Sequence, residues 1–316
     1  MNTGNHHRGF LITTIWTLGL LLLGSIVHAT ESSLACPDWP TCFGTFMPEM
    51  TGGVFWEHLH RLAAAGLVLI FISATYLAWR PELERPPVRR WALAGIGLLV
   101  VQSVLGGMTV LMRLPDAIST MHLALAFLFL TLATVLTVVT SRTWTVEHSS
   151  WQDVRDLREL AVTATSLTFL QSILGGAVRH TDAGLACPDV PLCLGQWIPP
   201  LQSPAVTLHF SHRVTGLLLL VASLMLSVRA MRRLSPSLTR TLALSAGVLI
   251  VLQIALGFLS VYTRLSVVTV SLHTLLAASL LSVTAALSAL SWGPGKGAST
   301  LRTPLGSRKD VATNGS

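Results

Sequence analysis

The stretch Gly24-Ser-Ile-Val-His-Ala-Thr-Glu-Ser-Ser-Leu-Ala-Cys-Pro-Asp-Trp-Pro-Thr-Cys-Phe-Gly44 returns 151 residues later as Gly175-Gly-Ala-Val-Arg-His-Thr-Asp-Ala-Gly-Leu-Ala-Cys-Pro-Asp-Val-Pro-Leu-Cys-Leu-Gly195. The same offset carries Gln102 onto Gln253 and His122 onto His273, and an offset of 152 carries His60-Arg61 onto His212-Arg213. The chain is therefore two copies of one unit. If each unit holds an even number of membrane spans, the copies share one orientation and are related by an axis along the membrane normal.

Composition places those units in a bilayer. Of the 316 residues, 51% are apolar and 11% charged, where a soluble domain carries roughly a quarter charged residues. The mean hydropathy is +0.64. An ordinary soluble protein is excluded. Runs such as Leu11 to Val27, Leu62 to Ala78 and Leu217 to Val228 fit spans of about 20 residues, and breakers between the runs predict eight helices at 10–29, 54–79, 90–112, 118–142, 158–180, 205–230, 238–262 and 267–292. The predicted class is an all-α membrane protein whose eight transmembrane helices form two tandem, pseudo-symmetric four-helix bundles. The bundles span 1–145 and 158–292, with a cytoplasmic linker at 146–157 and a disordered cytoplasmic tail at 293–316.

A net charge of +7 would suit a polyanionic partner if it were concentrated on one soluble face. Instead, 16 of the 21 Lys and Arg lie at the termini or in the connections Arg80–Arg90, Arg142–Arg158 and Arg229–Arg240. Retention of positive charge on the cytoplasmic side predicts a cell-membrane protein with both termini inside and the loops at 30–53 and 181–204 outside. Nucleic acid is not an expected partner; membrane lipid is. Trp56, Trp79, Trp91, Trp144 and Trp292 fall near span ends, as an interfacial belt requires. The first span, preceded by His6, His7 and Arg8, is too long for a signal-peptide core and has a relative deep in the chain, so it reads as a span. Small residues on lipid-facing surfaces leave room for a homo-oligomer.

Ionisable residues inside spans are costly and mark functional sites by default. Each half has one histidine near the outer start of its second helix, His60 or His212, and one near the outer start of its fourth, His122 or His273. Two imidazoles facing each other across an apolar bundle suit axial ligation of haem iron from both sides. Zinc or copper would recruit Cys, Asp or a third His, and the first half offers only His58 and Glu57 for that. His28, His58 and His180 read as interfacial. Glu57 lies three residues before His60 and on the same helix face, whereas the matching position in the second half is His209; the competing reading of Glu57 is an exposed carboxylate favoured by the helix dipole. Arg61 and Arg213 read either as snorkelling residues or as charge partners for haem propionates.

The four cysteines form two C-x5-C pairs, Cys36 with Cys42 and Cys187 with Cys193. In outer loops these predict disulfides, structural in the second half, with a redox-active pair left open in the first; a metal site built on one pair alone is incomplete. Gly106-Gly107 and Gly175-Gly176 read as helix-packing glycines, with room for a flat macrocycle as the second reading.

Taken together, the two Leu-Ala-Cys-Pro-Asp loops, Glu57-His58-Leu59-His60-Arg61, His122, His209-Phe210-Ser211-His212-Arg213 and His273 resemble the haem A synthase family over residues 10 to 292. The resemblance implies an enzyme that oxidises a ring methyl of haem O, a farnesylated haem, to a formyl group by successive hydroxylations. It implies that His60 and His122 receive haem O in the first bundle, that His212 and His273 hold a permanent haem b in the second, and that Glu57 is the acidic residue beside the substrate. A farnesyltransferase that makes haem O is the implied supplier. Thr30-Glu31-Ser32-Ser33 and Val190 depart from the family's loop pattern and leave the histidines intact. Two rival classes use the same residues: a di-haem b electron carrier, which needs no Glu57, and a transporter built from a parallel repeat, which binds no haem.

Overall fold

The computed structural model describes residues 4–79, 81–82, 85–141, 144 and 154–293. Among them, eight helices are long and apolar enough to cross a membrane: α1 Asn5–Ala29, α2 Gly52–Ala78, α3 Pro86–Leu111, α4 Asp116–Val139, α5 Arg158–His180, α6 Pro204–Arg233, α7 Leu238–Tyr262 and α8 Val267–Ser291. The chain is a multi-pass membrane protein, all-helical among the described residues. Residues 146–153 of the expected linker and 294–316 of the expected tail lie outside the described residues.

Helices are the outcome because lipid offers backbone N–H and C=O groups no partner, so each span must satisfy its own. Embedded hydroxyls follow the same rule: Thr13, Thr17, Thr134 and Thr168 each donate to the carbonyl four residues earlier. The first helix starts before the expected residue 10, at Asn5, because its polar beginning has partners. His6 Nε2 lies 3.0 Å from Glu82, and the His7 ring meets the Thr137 carbonyl at 3.0 Å.

Within the first half α1 packs on α2 and α4, and α3 packs on α4, with a thinner α2–α3 seam; α5 to α8 close a second ring through α5–α6, α6–α7, α7–α8 and α5–α8. Between the halves α1 meets α8 and α4 meets α5, while α4 and α8 touch along the centre. Exchanging α1 with α5 and α4 with α8 maps these contacts onto themselves, as a two-fold relation demands. The seam is filled by Leu21, Phe127, Leu130, Ala278 and Leu281 and tied by hydroxyl pairs Ser25–Thr274 at 3.1 Å and Thr134–Ser282 at 3.4 Å. Lipid gives little hydrophobic drive for such contacts, so close packing of small residues carries them.

The bundle ends away from the cysteine loops differ. Phe10, Phe71 and Phe129 plug the first, with Phe71 edge-on to Phe129 at 5.0 Å. Gly95 makes room for them, since a Cβ there would stand 2.5 Å from the Phe71 ring. In the second, Leu226, Ala230, Leu287 and Leu290 fill the same role without aromatics. Beneath the phenylalanines, buried Glu82 gathers His6 and Arg85, the latter at 2.5 Å, and Arg85 also donates to the Val139 carbonyl at 2.7 Å. One carboxylate thus joins the start of α1, the α2–α3 turn and the end of α4. Breaking a fully buried pair costs about 3–5 kcal/mol; with Arg85 partly exposed, Glu82→Ala is expected to cost about 2 kcal/mol. Thermal unfolding in detergent checks this, and an unchanged midpoint contradicts it.

Candidate functional site

Each bundle is roofed by its cysteine loop. Cys36 is bonded to Cys42 and Cys187 to Cys193, and short bridges pair Cys42 with Thr45 and Cys193 with Gln196. The turn inside each disulfide is wound around an aspartate. Asp38 accepts from the Phe43 amide at 2.6 Å, the Gly44 amide at 2.9 Å and the Thr41 hydroxyl; Asp189 accepts from the Leu194 and Gly195 amides at 2.8 and 2.7 Å. Gly44 and Gly195 sit at φ +71° and +73°, the left-handed region that favours glycine. The Thr41 hydroxyl, then the Gly44 amide, holds the Asp38 carboxyl below its ordinary value of 3.8, and the Gly195 amide is the largest cause of the same lowering at Asp189. What these turns contribute is complete above that ordinary value and is lost as pH falls through the lowered one.

The roofs are fastened from below by the arginines that follow the second-helix histidines. Arg61 donates to the carbonyls of Asp38 at 2.7 Å and Thr41 at 2.5 Å and to Glu57 at 2.7 Å. Arg213 donates to the carbonyls of Asp189 at 3.0 Å, Leu192 at 2.7 Å and Cys187 at 2.7 Å. Neither guanidinium snorkels freely, because its planar fork of donors matches a ring of loop carbonyls. Trp39 completes the first roof by resting on α3, where a Cβ at Gly107 would lie 2.7 Å from the indole.

Beneath the roofs, His60 and His122 stand on the second and fourth helices of the first ring, and His212 and His273 on those of the second. Each of the four rings lies against a glycine of the adjoining helix, and this shared detail escapes a reading by motif. A Cβ at Gly24, Gly106 or Gly175 would stand 3.0 Å from Cε1 of His60, His122 or His212, and one at Gly257 would stand 3.1 Å from His273. The signal was present in the repeat, since 24 and 106 recur as 175 and 257 at the same offset. Three rings also have a glutamine amide near Nε2: Gln102 at 3.5 Å from His122, Gln171 at 3.3 Å from His212 and Gln253 at 3.2 Å from His273. His60 lacks one because Leu20 occupies the position matching Gln171. All four Nδ1 atoms are buried without a hydrogen-bond partner among the described residues.

The halves differ most at the top of the second helix. Glu57 is only 4% exposed, so it is not a solvated first-turn carboxylate. Its Oε2 accepts the Cys36 amide at 2.8 Å and its Oε1 accepts Arg61. At the matching position His209 instead meets the Ala183 carbonyl at 2.9 Å. His58, expected at the interface, is buried under the roof with Nε2 at 3.1 Å from the Phe46 carbonyl; the loop folds down over the helix start and removes it from the surface. His28 and His180 are half-buried on the seam between halves, ring centres 5.1 Å apart. His180 Nδ1 lies 3.0 Å from the Thr120 hydroxyl, and Arg179 donates to the His28 carbonyl at 3.2 Å.

Two roofed helical rings, each with a pair of glycine-backed imidazoles, make up a duplicated membrane protein with eight spanning helices among the described residues, and Glu57 in the first half is matched by His209 in the second. The chain belongs to the COX15-CtaA family, described as cytochrome oxidase assembly protein, whose sequence model matches residues 8–53 and 49–285. It is 33% identical over 275 residues to a protein named Heme A synthase from Symbiobacterium thermophilum, covering 84% of this chain and 88% of that protein. It is 29% identical over 273 residues to the Heme A synthase of Halalkalibacterium halodurans, covering 85% and 91%, and 28% identical over 295 residues to that of Shewanella oneidensis, covering 80% and 87%.

Proposed function

We propose that this chain is a haem A synthase, an enzyme that oxidises haem O, converting one ring methyl to a formyl group by successive hydroxylations. The observation that carries the reading is the unequal duplication: both halves keep the imidazole pair, and only the first sets a buried carboxylate on the same helix face. Haem b is the resident group of the second half in this reading, held by His212 and His273, while His60 and His122 receive haem O as substrate. The donor set fits such ligands, because the rings present buried, unpartnered nitrogens and glycines leave space beside them. Bound iron supplies the oxidising power that no side chain has.

The chain's own groups supply position and charge. The glycines fix the ring planes, and the glutamine amides steer three of the four rings. Glu57, fixed by the Cys36 amide and Arg61, would hold or move a proton at its carboxylate in the bundle that receives the substrate. Arg61 and Arg213 carry positive charge to the bundle mouths, where propionates would be met. The roofs exclude water from above. We place them on the outer face of the cell membrane, with both termini inside, and infer that a farnesyltransferase making haem O is the supplier.

Cells expressing this chain with a haem O source, extracted and chromatographed for haems, test the proposal. Conversion to haem A is expected; intact haem O beside normally bound haem b would instead favour a di-haem b electron carrier, for which Glu57 has no use. The glycine backing makes a further prediction. Gly175→Ala is expected to shift and weaken the Soret band of the purified protein by pushing on His212, and Gly24→Ala to slow conversion while sparing that band. Gly19→Ala, where a Cβ meets nothing within 4 Å, is expected to change neither.

A further inference from the structure

Beneath the first roof one ring nitrogen of His58 and the sulfurs of Cys36 and Cys42 all lie within 4.8 Å of one another, and all three residues are buried. We propose that, when the Cys36–Cys42 disulfide is reduced, these residues form a Cys2His site for a soft or borderline d10 cation, Zn2+ or Cu+. The site is distinct from the imidazole pairs and independent of what those pairs bind.

The hydrogen bonding around His58 already selects the ligating atom. Nε2 is engaged by the Phe46 carbonyl at 3.1 Å, which requires the proton on that nitrogen. The lone pair then resides on Nδ1, buried and without a hydrogen-bond partner among the described residues. An imidazole whose second nitrogen donates to a carbonyl is the usual state of a metal-binding histidine. Two thiolates and an imidazole are a zinc donor set that leaves a fourth position open, and thiolates equally favour Cu+. Two thiolate charges are neutralised by a divalent ion, so a buried site of this composition carries no net charge.

The second roof shows what the same loop looks like without such a site. It shares the disulfide, the aspartate-wound turn and the arginine fastening, yet Phe210 stands where His58 does. Loop architecture therefore does not require a histidine at this position. Among the described residues, no hydrogen bond of the roof uses Nδ1 of His58.

The chemistry balances simply. A dithiol delivers two electrons and two protons to the disulfide and becomes a disulfide itself, leaving two thiols; the cation then displaces the two thiol protons.

The test uses the full-length protein in detergent, in a Cys187→Ser/Cys193→Ser background so that one pair remains. Samples are kept oxidised or reduced with a phosphine, freed of reductant without air, and offered Zn2+ or Cu+. Bound metal per chain is measured after desalting. One equivalent of at least one cation is expected in the reduced protein and none above background in the oxidised one, with sulfur and nitrogen neighbours in the metal's X-ray absorption. His58→Phe, which copies the second half, is expected to weaken binding by at least about tenfold, and His58→Gln serves where the phenylalanine variant is not monodisperse. Refusal of both cations by the reduced protein, or undiminished affinity in the His58 variant, would overturn the proposal.

Discussion

Glu57→Gln is expected to lower conversion of haem O by about 10²-fold or more, the usual worth of a positioned proton-transfer group, while leaving the purified protein's resident haem absorbance unchanged. Glutamine keeps the shape and its single oxygen can still accept the Cys36 amide; its NH2 then faces Arg61, which keeps the loop carbonyls that fasten the roof, and a loss of turnover beside an unchanged resident absorbance reports the missing charge or proton. Glu57→Ala is the harsher companion. It leaves the Cys36 amide and the Arg61 guanidinium short of a buried partner, which costs stability as well as activity. A Glu57→Gln protein that converts haem O at the parent rate would remove the carboxylate from the chemistry and return the first bundle to simple binding. His209→Glu is the converse substitution: its carboxylate would reach a bundle with the same roof, and turnover is expected to stay unchanged.

The second large effect separates the two imidazole pairs. His212→Ala and His273→Ala are each expected to strip the purified protein of most of its haem, and with it all conversion. His60→Ala and His122→Ala are expected to keep the resident absorbance and still abolish conversion. On the proposed reading, each of these variants would leave only one of the two imidazoles that would hold the group in its bundle. Pyridine haemochrome quantification of the four variants checks the pattern. Equal haem loss from all four would mean that both bundles hold permanent groups, and full retention in His212→Ala and His273→Ala would place the resident haem elsewhere.

How much of this was legible beforehand depended on which physical signal was involved. The spans follow from hydropathy and breakers, since only self-satisfied helices survive in lipid; α5 and α7 have the predicted bounds, 158–180 and 238–262. The duplication was visible as plain self-similarity. The burial of Glu57 and His58 was not, because both lie in the first two turns of α2, where a helix start near an interface ordinarily meets water. Only the downward fold of the 30–53 loop, fastened through Arg61, covers them. The fastening of the loops by Arg61 and Arg213 was not legible either, because their partners are backbone carbonyls, which no residue pattern displays. The four glycines were in view as letters, but their meaning depends on which helix adjoins which, and that adjacency exists only once the rings of helices close.

The fastening of each roof has a mechanical consequence. Arg61 and Arg213 are the residues immediately after His60 and His212, so each arginine rivet is driven into the same helical turn as an imidazole. A roof attached in this way is no hinged door: lifting it would break several carbonyl contacts at once and drag the neighbouring ring out of place. Passage for a bulky, greasy molecule is therefore cheapest through the walls, and the α2–α3 seam is the thinnest of those in the first half.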